Sequence, residues 1–108
     1  MATPSKPQQR GQDPVKVDSK HYTLEFENEK IRVLRIKYGP GEKSVMHAHP
    51  DGLLVALTSF RGTFVFPDGR KEERTAEAGE TLWMAGEEHL PENTGSEALE
   101  LILVELKS

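Results

Sequence analysis

The sequence predicts an all-β domain of about eight or nine short strands, arranged as a sandwich or a barrel. Apolar runs of strand length recur along the chain, and Leu99–Leu106 is the most strand-like of them. No segment combines the apolar period of a helix with capping residues, so we expect no long helix. Turn signals separate the runs, notably Gly39-Pro40-Gly41 and Pro67-Asp68-Gly69. This pattern is typical of antiparallel strands joined by short turns.

Further strands are expected ahead of that C-terminal run. They cover residues 22–27, 31–38, 53–57, 63–66, 70–75 and 81–84. Residues 31–38 carry apolar side chains on both phases, which predicts either a β-bulge or a strand covered on both faces. Leu99–Leu106 is also apolar on both faces. We therefore expect this strand to lie between a barrel interior and something outside it, such as a second subunit.

Length, composition and charge limit the class of protein. A chain of 108 residues fits one domain. We expect a flexible N-terminal tail over residues 1–18, which are polar and rich in proline, and a single domain over residues 19–108. The net charge of -4 argues against nucleic-acid and anionic-membrane partners. The sequence has no signal-peptide pattern and no apolar run of membrane-spanning length, so we expect a cytoplasmic protein.

The most informative residues for function are His47 and His49. Residues two apart on a strand point to the same face, so both imidazoles would project in one direction. Two neutral imidazoles on one face are half of a transition-metal site, and His89 is the candidate for a third ligand. Because the chain has no cysteine, imidazole and carboxylate are the ligands left for such a metal.

Two glycine-led segments of the chain resemble the paired motifs of the cupin superfamily. The matching positions are Gly41, His47, His49 and Gly62 in the first motif, and Gly79, His89 and Asn93 in the second. The resemblance covers about residues 31–106. It implies a cupin-type jelly-roll β-barrel of two antiparallel sheets, a metal held by the three histidines, and association into a homodimer.

The chain departs from this pattern in two places. The glutamate ligand of the first motif is missing, and its position falls on Leu53, Leu54 or Val55. The proline of the second motif's turn is replaced by Ala85, and we expect Gly86 to absorb the unusual backbone angles there. The resemblance therefore implies a site with three histidine ligands rather than four ligands.

Three-histidine centres among cupins are similar to those of Fe(II)-dependent dioxygenases that act on small molecules. Three neutral ligands leave positions open for water, dioxygen or substrate. We expect Leu53, Leu54, Val55 and Trp83 to form a dry pocket wall, although Trp83 also suits core or interface packing. Iron is favoured, and nickel, zinc, copper and manganese stay open. The alternatives are a non-enzymatic module that binds a metal or a small ligand, and a zinc- or nickel-dependent isomerase or lyase.

Several polar residues near the motifs are interpreted as structural. His21 is expected at the surface, and Asp51 is expected in a turn rather than on the metal. Glu87 and Glu88 flank His89, and a solvated turn is favoured over a hydrogen bond to that histidine. Asn93 is expected to be a turn residue.

Overall fold

The fold consists of two antiparallel β-sheets and one short helix. A computed structural model describes residues 11–107. The elements are α1 (Pro14–Val17), β1 (Tyr22–Glu27), β2 (Ile31–Tyr38), β3 (His47–His49), β4 (Gly52–Ala56), β5 (Phe60–Val65), β6 (Lys71–Ala76), β7 (Thr81–Met84), β8 (Glu87–Asn93) and β9 (Leu99–Leu106). The all-β prediction with two antiparallel sheets is confirmed.

The strand order places β9 at the centre of one sheet and β3 at the edge of the other. The five-stranded sheet has the order β1-β2-β9-β4-β7, and the four-stranded sheet has the order β3-β8-β5-β6. Both sheets are antiparallel throughout, which the short turns of the sequence allow. Within residues 11–107, no helix is long and apolar enough to cross a membrane.

The apolar core lies between the two sheets. Side chains alternate between the faces of a strand, so one phase of each strand points inward. Leu34 and Leu103 are register partners on β2 and β9, and their exposed fractions are 0% and 1%. Leu54 and Leu101 join them in the same buried cluster. The opposite phase of β9 is only half-buried, at Ile102 and Val104, in agreement with its apolar character on both faces.

The two apolar phases of residues 31–38 do not come from a bulge in that strand. β2 pairs with β9 in an unbroken register from Ile31 to Tyr38, and the register shift lies in β1, between Leu24 and Phe26. Ile31 and Val33 are half-buried on the outward phase. The expectation of a bulge in β2 is therefore wrong, and its outward apolar phase is half-exposed in a single chain.

The folded region begins earlier than residue 19. Residues 1–10 of the expected flexible tail lie outside the described residues. Residues 11–18 contain α1, whose Pro14 is fully buried and whose first turn is capped by the Asp13 side chain. Pro in the first helical turn and Asp at the N-cap are standard signals for the start of a helix. They were overlooked because the proline content of residues 1–18 was interpreted as a sign of a flexible tail. The expected boundary is corrected accordingly.

Replacing a core leucine tests where the stability of the fold resides. We expect Leu103→Ala to lower the free energy of unfolding by about 2–5 kcal/mol, because it leaves a cavity between the sheets. Leu24, which is 41% exposed, is the matched control, and Leu24→Ala should cost less than about 1 kcal/mol. Urea denaturation of both variants measures the difference, and equal losses would contradict this placement of the core.

Candidate metal centre

The three histidines come together where β3 and β8 pair. His47 is the register partner of His89, and His49 lies two residues further along β3. Pairing across an antiparallel ladder places side chains of the same face side by side, and residues two apart share that face. Ring centroids of the three imidazoles lie 4.8–5.1 Å apart. All three are buried, with exposed fractions of 0% for His47, 2% for His49 and 1% for His89.

The Nδ1 atom of each imidazole is held by a hydrogen bond. His49 Nδ1 donates to Glu105 Oε2 at 2.6 Å, and His89 Nδ1 donates to Glu87 Oε2 at 2.6 Å. His47 Nδ1 donates to the Val45 carbonyl oxygen at 2.8 Å. A hydrogen bond to one ring nitrogen fixes the tautomer, so the Nε2 atoms carry the free lone pairs.

The Nε2 atoms meet the requirements of a metal-ligand set. Among the described residues, His47 Nε2 and His89 Nε2 are buried side-chain atoms with no hydrogen-bond partner. Leaving a buried polar atom unsatisfied costs about 1–3 kcal/mol. One ligand atom from each of the three histidines lies within 4.8 Å of the others. A divalent transition metal bound by the three lone pairs would remove that cost, so the residues present fit such an ion.

The surroundings keep two of these imidazoles neutral. Burial lowers the pKa of His47 to about 2, and the neighbouring His49 and His89 add to the shift. Burial also lowers the pKa of His89 to about 4, although its hydrogen bond to Glu87 opposes the change. Neutral imidazole is the form that binds a metal, so both side chains are ready to ligate over the physiological pH range.

Each of the two carboxylates behind the histidines is paired with an arginine. Arg32 Nε donates to Glu105 Oε1 at 3.0 Å, and Arg74 donates to both oxygens of Glu87 at 2.9 and 3.1 Å. Burial raises the pKa of Glu87, but hydrogen bonds from His89 and Arg74 outweigh it and bring the pKa to about 2. The expectation of a solvated turn for Glu87 is therefore wrong, because the residue lies in β8 and holds His89.

Glu105 was missed by the sequence analysis, although a signal for it exists. It occupies the inward phase of β9, after Leu99, Leu101 and Leu103, and is only 2% exposed. A single carboxylate on the core face of an otherwise apolar strand needs a buried partner. Its partners are His49 and Arg32.

The expected pocket wall is largely corrected by the structure. A cavity of about 40 Å³ lies between the sheets beside His49 and His89, and of the four expected residues only Leu54 lines it. Leu53 and Trp83 are register partners on the outward phase and are 40% and 59% exposed, and Val55 shares that outward phase. The alternation along β4 separates residues that the continuous apolar run had grouped together.

The cavity is lined by apolar side chains of both sheets and by a pair of phenols. Tyr22 and Tyr38 share a hydrogen bond of 2.7 Å between their hydroxyl groups. The Tyr22 ring lies edge-on to His47, with centroids 4.9 Å apart. The other apolar lining residues are Ile36, Leu54, Phe60, Phe64, Met84, Pro91, Leu99, Leu101 and Leu103.

Two other expectations have different outcomes. His21 is buried rather than at the surface, because its ring stacks on Tyr38 and its nitrogens bond to Asp18 and Glu42. Asp51 is exposed and accepts a hydrogen bond from the Gly86 backbone nitrogen, which agrees with a turn residue.

Two positions of the second motif play different roles from those expected. Asn93 is buried at the end of β8, where its amide donates to three backbone carbonyl oxygens and its oxygen accepts from Gly95. Gly86 has no positive φ. A Cβ at Gly86 would lie 3.1 Å from the His49 carbonyl oxygen, so the residue allows close backbone approach.

Comparison with known proteins identifies the fold. No protein-family model matches the chain, and no curated protein matches it. A cupin domain from Bordetella pertussis Tohama I matches with a TM-score of 0.73 and 22% identity over 81% of this chain and 92% of that one. An RmlC-like cupin with a double-stranded β-helix fold from Methanocaldococcus jannaschii matches with a TM-score of 0.62 and 20% identity over 83% and 84%.

A structure of oxalate oxidase in complex with the substrate analogue glycolate is a more distant match. It has a TM-score of 0.54 and 19% identity over 72% of this chain and 42% of that one. At these identities the matches define the fold. The chain therefore has the cupin fold, with three histidines close together at its centre.

The metal-free protein should lose stability in mild acid. A histidine with an ordinary pKa near 6.5 takes up a proton in the unfolded chain, whereas His47 and His89 stay neutral in the folded state. Stability is therefore lost as the pH falls below about 6.5, by up to about 1.4 kcal/mol per pH unit for each histidine. The loss continues to about pH 4 for His89 and to about pH 2 for His47.

Urea denaturation in the presence of a chelator, at several pH values between 7.5 and about 5, measures this slope. The control is His89→Gln, which should reduce the slope by up to about 1.4 kcal/mol per pH unit. An unchanged slope in that variant would show that His89 titrates normally in the folded protein.

Proposed function

We propose that His47, His49 and His89 hold one divalent transition metal and that this ion is the functional centre of the protein. The observation that carries the proposal is the pair of buried Nε2 atoms, on His47 and His89, that have no hydrogen-bond partner among the described residues. A core that needed only packing would not place three mutually facing imidazoles at its centre.

We further propose that the protein is an Fe(II)-dependent dioxygenase that acts on a small molecule. When bound, iron held by three neutral nitrogens would supply open positions for dioxygen and substrate. Leu54, Leu101 and Leu103 line the adjoining cavity and make its wall apolar, which suits chemistry that must avoid water. Burial raises the pKa of Tyr38 well above its usual value, so its phenol stays protonated next to Tyr22 and remains a neutral polar group in the wall.

The cavity limits the size of the molecule that this conformation accepts. A volume of about 40 Å³ holds about three water-sized molecules, because each needs about 10–15 Å³ when measured in this way. Dioxygen fits that space. A substrate of more than a few non-hydrogen atoms requires the cavity to open.

A second candidate is a non-enzymatic module that binds a metal or a small ligand. The observation that favours it is the burial of all three histidines, which are no more than 2% exposed. A metal at such a site would stabilise the fold by binding only the native state. A zinc- or nickel-dependent isomerase or lyase is a further alternative, and the identity of the metal separates it from the dioxygenase.

Elemental analysis of untagged protein purified without oxygen is the first test. We expect about one iron per chain, because three buried imidazoles favour a transition metal, and we expect each of His47→Ala, His49→Ala and His89→Ala to lose it. The control is Glu25→Gln, since it changes an ion pair with Arg35 away from the triad and should keep the metal. Full metal occupancy in any triad variant would contradict the site.

The metal found decides between the candidates. Iron together with oxygen consumption in a small-molecule screen would support the dioxygenase. Zinc or nickel without oxygen consumption would favour Lewis-acid chemistry. Metal that raises the melting temperature but gives no activity would favour the non-enzymatic module.

We also propose that the protein forms a homodimer through the outer face of its five-stranded sheet. One apolar row crosses this sheet from edge to edge, and each member is the register partner of the next. This outer row consists of Phe26, Val33, Val104, Leu53 and Trp83. The row is centred on β9. A two-fold axis that passes near Val104 would therefore pack the row of one subunit against the same row of the second subunit.

The area of this face suits a second copy of the chain. The outer row and its apolar neighbours, including Leu57 and Leu106, expose on the order of 500 Å². A dimer of standard size buries about 800 Å² per subunit, of which about 65% is apolar.

A lysine in the outer row should separate the subunits. We expect Leu53→Lys to convert a dimer into a monomer in sedimentation analysis, because it buries an unpaired charge at the interface. Trp83 is the single tryptophan and belongs to the row, so its emission should shift to longer wavelength at the same time. Leu24→Lys is the matched control, since Leu24 is 41% exposed, against 40% for Leu53, but lies outside the row. A monomeric wild-type protein at micromolar concentration would contradict the proposal.

A further inference from the structure

Residues 11–18, which we call the N-terminal strap, lie along the outer edge of the strand that carries two of the histidines. β3 has three residues and is the edge strand of its sheet, with β8 as its neighbour. On its other side the Ala48 backbone nitrogen donates to the Gln12 carbonyl oxygen at 2.9 Å. A Cβ at Gly11 would lie 3.2 Å from the Ala48 Cβ, so the strap approaches β3 closely.

A chain of charged hydrogen bonds connects the beginning of the strap with His49. The Asp13 carboxylate caps α1 and also accepts two hydrogen bonds from the Arg32 guanidinium, both of 2.9 Å. Arg32 Nε donates to Glu105, which in turn accepts from His49 Nδ1. Each guanidinium nitrogen of Arg32 therefore has a carboxylate partner, and the plane of Arg32 is fixed from both ends.

A second chain connects the end of the strap with His47. Asp18 is the C-cap of α1, and its carboxylate accepts a hydrogen bond from the Ser44 hydroxyl. The Ser44 oxygen lies 3.2 Å from His47 Nδ1 and can accept from it while donating to Asp18. His21 Nδ1 donates to the same Asp18 carboxylate at 2.8 Å.

We propose that the N-terminal strap is a positioning element of the histidine centre, in which Asp13 and Asp18 set the orientation of His49 and His47. The proposal rests on the three-histidine site described above. His89 is held differently, by Glu87 and Arg74, whose hydrogen-bond partners among the described residues are on β6 and β8. Loss of a strap aspartate should therefore disturb one histidine and leave His89 as it was.

The ring-nitrogen resonances of the metal-free protein provide the first test. Long-range ¹⁵N–¹H correlation spectra should show all three site histidines as Nδ1–H tautomers in the wild-type protein. In Asp13→Asn the N-cap is retained, because asparagine caps as well as aspartate, but the bidentate charged pair with Arg32 is lost. Glu105 still accepts from His49 Nδ1, so we expect the tautomer to persist while the ring-nitrogen resonances of His49 shift and those of His89 stay unchanged. In Asp18→Asn the corresponding shift should appear at His47, which keeps the Val45 carbonyl oxygen as an acceptor.

Metal affinity provides the second test. Competition of cobalt(II) against a chromophoric chelator should show about tenfold weaker binding for Asp13→Asn and a loss of about 10- to 100-fold for Glu105→Gln. The matched control is Glu25→Gln, which breaks the equivalent paired bonds to Arg35 on the outer face and should leave the affinity unchanged. If Asp13→Asn fails to fold, Arg32→Lys tests the same link, since lysine keeps the positive charge but cannot form the bidentate hydrogen bonds of arginine.

The two proposals fail in different ways. Wild-type protein that binds no cobalt would overturn the metal centre, while the ring-nitrogen resonances of the metal-free protein would still decide the role of the strap. Folded Asp13→Asn with unchanged His49 ring-nitrogen resonances would overturn the strap proposal even if the metal binds. A change of equal size at His89 would also overturn it, because a general loosening of the fold would act on all three histidines.

Discussion

The constraint on which the site depends is the burial of three imidazoles that face one another. An imidazole has two ring nitrogens, and each needs a partner once water is excluded. Here the outer nitrogen of each ring has a protein partner, whereas the inner nitrogens of His47 and His89 have none within residues 11–107. The partners behind the rings therefore fix which nitrogen faces the centre. The short strand β3, the inward glutamate of β9 and the strap all serve this arrangement.

The carboxylates of this site lie behind the histidines rather than among the inner nitrogens. A carboxylate that accepts a hydrogen bond from a ligating imidazole raises the basicity of that ligand. Glu105 and Glu87 occupy this position, and each is neutralised in part by an arginine. Compared with a site that has a carboxylate ligand, this arrangement leaves more positive charge on a bound metal. It favours chemistry that needs an open and electrophilic ion.

The sequence predicted the parts of the site that depend on local periodicity. His47 and His49 share a face because they are two residues apart. The same alternation along β9 places Glu105 on the inward face, so the sequence pattern could have identified it as a site residue. The pocket wall was mispredicted because Leu53, Leu54 and Val55 were treated as one apolar unit, although alternate residues of β4 point to opposite sides. The strap was not predicted for another reason. Its contacts join residues far apart in the chain, such as Asp13 and Arg32, and local composition does not indicate such contacts.

Alternation along the central strand separates the two faces of the molecule. On β9, Leu103 and Glu105 point to the cavity and to His49, whereas Val104 belongs to the outer row. A partner on the outer face would therefore contact the strand that carries Glu105 without contacting the histidines. The opposite holds for β3, which is short and lies at an edge, so it depends on the strap for its second partner.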